Sequence, residues 1–247
     1  METKHSHARA RLPHGASLDY DLSREGFDAL GRFDTCTVAN AIERLQVRLR
    51  NEGFTKPGLR CVTGGFPRVL GYAATCKVRT ADPPFTGDYY LERSDWWNAL
   101  DRLPVPRIAV IQDLDTRSGS GSSVGEVHAA ILKAFRCVGV VTNGAVRDVP
   151  GVAAMQFPMF AASMAVSHSY MHLVEYGGEV EIFGLKIRPG DLLLADCHGV
   201  LSIPKDVAAA LPGIASQIRA NERRIIELCE APDFSPETLR DAIRDAR

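Results

Sequence analysis

Two short stretches hold the residue types best suited to chemistry: Gly125-Glu126-Val127-His128, and Asn143-Gly144-Ala145-Val146-Arg147-Asp148, in which Arg147 stands twenty-one residues after Glu126. An arginine offers a planar fork that matches a carboxylate in bidentate fashion. An aspartate suits Mg2+, which keeps several of its waters and takes only one or two carboxylates. A helix amino terminus, with N–H groups that lack intrahelical partners, adds a third source of positive potential. Arginine, metal and helix terminus converging on one carboxylate-bearing substrate would stabilise an enolate.

The elements needed to bring these groups together can be read around them. Ile108-Ala109-Val110-Ile111 reads as a buried strand that empties into a loop with Gly119, Gly121 and four serines between 118 and 123. Val124, Val127, Ile131, Ala134 and Phe135 then recur near a 3.6-residue period, which predicts a helix with that face on a sheet and with Lys133 and Arg136 in water. Val138-Gly139-Val140-Val141 predicts the next strand. Strand, glycine-rich turn, helix and strand make a βαβ unit, whose ligand site lies at the carboxyl ends of the strands.

Each residue in this constellation also has a purely structural reading. Ser123-Val124-Gly125-Glu126 fits a capping box, with Glu126 reaching back to a backbone N–H; otherwise its carboxylate stands one turn from an anion pocket, placed to hold or deprotonate a metal-held water. His128 is either a partly exposed first-turn residue or a ligand or proton carrier. Asn143-Gly144 between apolar residues is a hairpin signal, while the rival reading has Gly144 letting the backbone pass close to a ligand. Arg147-Asp148 is either a solvated loop pair or the mouth of the pocket. His168 and His172, four apart, match a metal pair on a helix, although packing or capping is the simpler reading. Asp191, Asp196 and His198 stand in turns between short strands, where aspartate is a normal turn former.

Elsewhere, Asp34 or Thr35 is a candidate cap for a helix over 35–45. Gly64-Gly65 and Pro67 mark a turn before a strand over 69–78. Residues 81–87 read as a loop, and Trp96, Trp97 and Leu100 predict a short helix within 89–103. A helix at 150–155 and a strand at 158–166 follow. Alternation over 179–188 about Gly184, with strands at 192–195 and 200–203, suggests a small separate β layer. A helical segment from Pro204, interrupted at Pro212, runs through Ile214, Ile218, Ile225, Ile226 and Leu228, and Ser235-Pro236 opens a last helix.

The 247 residues, 45% of them apolar, suffice for one core. Lys plus Arg at 29 against 30 acids leaves a net charge of −1, with no basic stripe to bind nucleic acid. No run is long enough to span a membrane, and the first twenty residues lack a signal-peptide core, so a cytoplasmic protein is expected. Six scattered cysteines without a C-x-x-C pair read as reduced, buried thiols.

Gly125-Glu126, Arg147-Asp148, Pro189-Gly190-Asp191 with Asp196-Cys197-His198-Gly199-Val200, and Asp34-Thr35-Cys36-Thr37-Val38-Ala39-Asn40-Ala41 occur in this order. In this combination the chain resembles the RraA-like family over roughly residues 30–230. That family holds class II 4-hydroxy-4-methyl-2-oxoglutarate aldolases, related oxaloacetate decarboxylases and regulators of ribonuclease E. The resemblance implies an α/β fold, a swivelling ββα sandwich with a central βαβ unit, assembling as trimers or hexamers. By residue matching it implies a pyruvyl site on the backbone of Gly125, Glu126, Val127 and His128. Arg147 would sit on the carboxylate or enolate oxygen, Asp148 on Mg2+ or Mn2+, and Glu222 would be an acid supplied by a neighbouring subunit. Regulators tend to lack the aspartate matching Asp148, so its presence favours a lyase acting on a 2-oxo acid over a ribonuclease-binding regulator. His128 departs from the aldolase pattern and leaves room for another hydroxy or sugar acid, with His128 or His168 in proton transfer. The expected organisation is an arm over 1–20, a catalytic domain over 21–232 and a helical extension over 233–247.

Overall fold

The computed structural model describes residues 22–65, 68–85 and 89–245. The expected arm over 1–20 lies outside these residues, as do Pro67 and the end of the 81–87 loop. In chain order the first elements are α1 (Arg24–Leu30), α2 (Thr35–Leu45), β1 (Arg60–Cys61), β2 (Val69–Arg79), α3 (Tyr89–Leu100) and β3 (Arg107–Asp113). There follow β4 (Ser122–Val124), α4 (Glu126–Ala134), β5 (Cys137–Val146), α5 (Val149–Ala154), β6 (Met159–Met164) and β7 (His172–Tyr176). The last are β8 (Val180–Ile182), β9 (Leu185–Ile187), β10 (Leu192–Asp196), β11 (Gly199–Ile203), α6 (Leu211–Cys229) and α7 (Pro236–Asp245).

Contacts divide the chain into two compact units: described residues 53–203 form one, and residues 22–52 with 204–245 form the other. The boundary expected at residue 232 therefore falls inside the second unit. In that unit every described element is helical. Asp34 caps α2 as expected, its Oδ1 accepting the Thr37 N–H at 2.7 Å and its Oδ2 the Thr37 hydroxyl at 3.0 Å. Such a cap contributes about 1 kcal/mol. α2 packs on α6, and the Arg219 guanidinium lies 4.5 Å above the Phe33 ring. Pro212 does not interrupt a helix; it sits in the first turn of α6, where its missing N–H costs nothing. Ser235 caps α7 through the Thr238 N–H at 3.2 Å.

The other unit is built on a nine-stranded mixed sheet of order β1-β6-β5-β3-β2-β10-β11, with β4 beside β5 and β7 beside β2. β2, β3, β5 and β6 are mutually parallel neighbours, so their carboxyl ends gather along one edge. Period-two alternation assigns their side chains to two faces. Ala74, Cys76, Ala109, Ile111, Val140 and Ala161 join Trp96, Leu100, Ala129, Leu132 and Val152 on the helical face. Ala73, Ile108, Val110, Val141 and Phe160 join Val180, Ile182, Leu185 and Ile187 of the β8–β9 hairpin on the other.

Several expectations change. The separate β layer is only the β8–β9 pair; β10 and β11 extend the main sheet beside β2, because β10 pairs along Val69–Tyr72 where β7 does not reach. Asn143-Gly144 is not a hairpin turn: β5 continues through it, with a register shift against β6 between Thr142 and Ala145, and the Asn143 side chain accepts the Asp113 N–H at 2.7 Å and donates to the Asp113 carbonyl at 2.9 Å. No helix carries His168 and His172. They stand on the turn before β7 and at its start, with each Nδ1 2.8 Å from a nearby carbonyl, of Ser169 and Tyr170 respectively. No disulfide joins the six cysteines, but only Cys76 and Cys137 are buried, while Cys36, Cys197 and Cys229 are exposed. No described helix is long and apolar enough to cross a membrane.

Candidate functional site

At the carboxyl edge of the parallel strands, β3 ends at Asp113, and the chain loops through 114–121 before returning as β4. That short strand pairs with the far end of β5, Ser122 opposite Ala145 and Val124 opposite Val146. The pairing brings the start of α4 against the residues that leave β5, and the Arg147 N–H donates to the Val124 carbonyl at 2.9 Å. Gly125 and Arg147-Asp148, far apart in sequence, become neighbours.

The capping box is absent. Gly125 is the N-cap of α4 and makes no side-chain cap, while the Ser123 hydroxyl donates to the Ala145 carbonyl at 3.3 Å. The Glu126 N–H goes instead to Asp148 Oδ2 at 3.1 Å, so a carboxylate from the next crossover caps this helix. Ser123 does not cap the helix because its hydroxyl is turned to the Ala145 carbonyl. The Glu126 carboxylate reaches the first turns of α5, where a Cβ on Gly151 would stand 2.7 Å from Oε2.

Asp148 has φ 54 and ψ 32, a left-handed conformation that aspartate tolerates better than most residues. Its Oδ2 lies 3.5 Å from Arg147 Nε, with the side chains 42% and 37% exposed respectively. A Cβ on Gly125 would collide with the Asp148 carboxylate and stand 3.0 Å from Arg147 Nε, so this glycine is required by close approach. The Val127 and His128 N–H groups lie in the first turn of α4 and have no intrahelical partner, since the first such bond is Ala129 N–H to the Gly125 carbonyl. The cluster thus offers an exposed carboxylate, a guanidinium and helix-terminal donors within one neighbourhood.

The helix phase differs from the periodic reading. His128, Ala129 and Leu132 are buried, and Val127 is 74% exposed. The cause is an anchor on His128. Its Nδ1 donates to the Ser123 carbonyl at 3.1 Å, and its Nε2 receives Trp97 Nε1–H at 3.5 Å. Trp96 presses edge-on at 5.9 Å, and Arg93 donates to the same Ser123 carbonyl at 3.0 Å. Burial, reinforced by the Arg93 charge, pushes the imidazole down to about 3 from 6.5. The ring is neutral and both nitrogens are engaged, which removes it from proton transfer; only its backbone remains at the site. Between pH 6.5 and about 3 the unfolded chain holds a proton here that the folded chain does not. This contribution to stability is therefore whole above pH 6.5 and falls as pH drops through that window. His128→Gln is expected to flatten the fall in urea midpoint between pH 7 and pH 5, and an unchanged slope would assign it to other groups.

Sequence reading missed the groups that brace the edge. Asp113, buried, accepts N–H groups from Asp115 at 3.0 Å and Gly119 at 2.7 Å, and burial pushes its carboxyl up. Asp115 accepts from the N–H groups of Thr80 and Ala81 and from the Thr80 hydroxyl. Burial raises its pKa, but these hydrogen bonds outweigh that and hold it below the usual carboxylate range. Asp-Leu-Asp closing an apolar run was the available signal. Gly144 makes room for this brace: a Cβ there would stand 2.9 Å from the Asp113 side chain. Glu222 is exposed on α6.

With this geometry in hand, comparison with known proteins decides the family. The RraA-like family profile, described as Aldolase/RraA, matches residues 35–202. The chain belongs to the RraA-like family. An uncharacterized protein of Methanocaldococcus jannaschii is 36% identical over 90 residues, covering 36% of this chain and 43% of that protein. A protein of Halalkalibacterium halodurans, provisionally named 4-hydroxy-4-methyl-2-oxoglutarate aldolase, is 32% identical over 82 residues, 33% of this chain and 39% of its own length. The chain thus spans less than half the length of these curated relatives. A solved structure of an uncharacterized Pseudomonas syringae protein superposes with a TM-score of 0.70 at 23% identity, covering 92% of this chain and 97% of that one. At that identity the likeness speaks for the fold alone, a mixed α/β arrangement.

Proposed function

We propose that this RraA-like chain is a divalent-metal-dependent carbon–carbon lyase that cleaves a 4-hydroxy-2-oxo acid by retro-aldol reaction to release pyruvate, and that also decarboxylates oxaloacetate. The observation that carries the proposal is the exposed Asp148 carboxylate, held in a left-handed conformation between the Arg147 guanidinium and the start of α4. Membership of a family that includes a relative named as an aldolase supports it.

The residues fit a hard cation. Asp148 uses Oδ2 for the Glu126 N–H and the Arg147 contact, and no bond to Oδ1 is seen among the described residues. One carboxylate with open surroundings suits Mg2+ or Mn2+, which retain waters and take further oxygens from substrate. Bound there, the cation supplies Lewis-acid stabilisation to the oxygens of the 2-oxo acid.

Arg147 would grip the substrate carboxylate or the developing enolate oxygen, and the N–H groups of Val127 and His128 would orient the pyruvyl end. Donors already fixed in place favour the charge that develops as C3–C4 breaks and its electron pair moves into the enolate. A base must take the 4-hydroxyl proton, and Glu126 is the nearest carboxylate in sequence. Glu222, brought by a neighbouring copy, completes the proposal, as does assembly into trimers or hexamers of the swivelling ββα type. Oxaloacetate would lose CO2 to the same enolate, so one arrangement serves both reactions.

Pyruvate release from 4-hydroxy-4-methyl-2-oxoglutarate and from oxaloacetate, with Mg2+ or Mn2+ and with or without chelator, tests this. The expected result is release from both that chelator abolishes. Full activity in chelator would overturn the metal's role. No release from either substrate would move the chain to another hydroxy acid if it binds Mn2+, and to a non-catalytic ribonuclease-binding regulator if it does not.

A further inference from the structure

We infer that the tip of the β10–β11 hairpin is a separate metal site, formed by Asp196, Cys197 and His198 and suited to Zn2+ or a similar borderline ion such as Co2+. Asp196 pairs with Gly199, which makes Cys197 and His198 the two central residues of a tight turn. Gly199, at φ 136, closes it, and a Cβ there would run into Thr55 Oγ1. Thr55 in turn binds Val200 at both ends, its Oγ1 accepting the Val200 N–H at 3.0 Å and its own N–H donating to the Val200 carbonyl at 2.9 Å. The turn is pinned to the sheet.

Within it, Asp196 Oδ1 lies 3.1 Å from His198 Nδ1 and also accepts the His198 N–H at 2.9 Å. Cys197 Sγ lies 3.5 Å from Nδ1 and 3.9 Å from Nε2 of the same ring. One ligand atom from each residue falls within 4.8 Å of the others. A tetrahedral zinc ion with bonds of about 2.0 Å to nitrogen and oxygen and about 2.3 Å to sulfur separates neighbouring ligand atoms by about 3.3 to 3.6 Å. The oxygen–nitrogen and nitrogen–sulfur separations are therefore already close to the edges of such a site, and the oxygen and sulfur lie within 4.8 Å of one another.

The charges also match. Thiolate and carboxylate together neutralise a divalent ion; the thiol proton leaves as it binds, while the imidazole stays neutral, its one ring proton on Nε2 so that Nδ1 is free to coordinate. Asp196 is nearly enclosed, its side chain 3% exposed, whereas His198 is 56% exposed and Cys197 lies at the surface, so the fourth position faces solvent. Thiolate and imidazole select Zn2+ or Co2+ over Mg2+, the reverse of what Asp148 offers. Two chemically distinct sites on one chain follow.

The test is titration of the whole chain with Co2+ in excess Mg2+, in a Cys36→Ser, Cys229→Ser background that removes the other exposed thiols. The expected result is one equivalent of Co2+ with a thiolate-to-cobalt charge-transfer band and the intense visible absorption of tetrahedral cobalt, both displaced by Zn2+. Cys197→Ser should abolish the charge-transfer band, and His198→Ala should weaken binding at least tenfold. Both side chains are exposed, so each variant should keep the parent thermal midpoint. Absence of the band in the parent, or its persistence in Cys197→Ser, would overturn the metal site and leave the cluster a hydrogen-bonded turn.

Discussion

Asp148→Asn is expected to cut metal-dependent pyruvate release by at least about a hundredfold while moving the thermal midpoint by only a few degrees. Asparagine is among the residues most tolerant of the left-handed conformation at this position, so the backbone has no cause to shift. Its side-chain oxygen can still accept the Glu126 N–H now held at 3.1 Å, preserving the cap on α4. Only the charge is lost. With Asp148→Ala the charge and the cap go together, and about 1 kcal/mol of stability should go with them. Steady-state pyruvate assays, with Mn2+ affinity measured by calorimetry on both variants, separate the two effects. Wild-type turnover in Asp148→Asn would remove this carboxylate from the reaction.

Gly125→Ala should be nearly as damaging, for a different reason. Gly125 has φ −125 and ψ −169, extended backbone that alanine adopts freely, so no backbone strain enters. The added methyl would instead collide with the Asp148 carboxylate and crowd Arg147 Nε and Cγ, at 3.0 and 3.1 Å from its ideal position. These partly exposed side chains can yield only by moving apart, which separates the two groups the proposed reaction needs together. Misplacement on the scale of an ångström can cost about a hundredfold in rate. We expect kcat/KM to fall by about that factor with little change in thermal midpoint. Parental kinetics would show that the spacing of Arg147 and Asp148 is immaterial to turnover.

Much of the scaffold was legible because it depends on neighbours in sequence. Asp34 and Ser235 announce helix starts through contacts three residues away, and the alternation around Gly184 announces the β8–β9 hairpin. Legibility fails where a distant partner outbids a local one. Ser123 had the spacing of a cap but serves β4, while the cap on the Glu126 N–H comes from Asp148, twenty-two residues after Glu126. Asn143-Gly144 had the composition of a turn, yet Asp113 of the adjoining strand satisfies the asparagine and keeps β5 extended. The phase of α4 slipped for the same reason: hydrophobicity favoured Val127, but hydrogen bonds from Trp97 and to Ser123 draw in His128. At the candidate site, residue identities were readable, and their mutual arrangement was set by strand pairing that no local pattern encodes.

The 114–121 loop, braced at both ends, bears on the thermodynamics of binding. Asp113 and Asp115 hold its backbone, the Gly121 N–H donates to the Thr80 hydroxyl at 3.0 Å, and the Ser122 N–H donates to the Ser167 carbonyl at 2.9 Å. A segment tied at so many points has little freedom left to surrender when a ligand arrives. Association should therefore proceed without the unfavourable entropy and large negative heat-capacity change that mark folding on binding. Encounter with a small anion would then be paced by diffusion and charge, and selectivity would rest on rigid fit rather than on a closing segment.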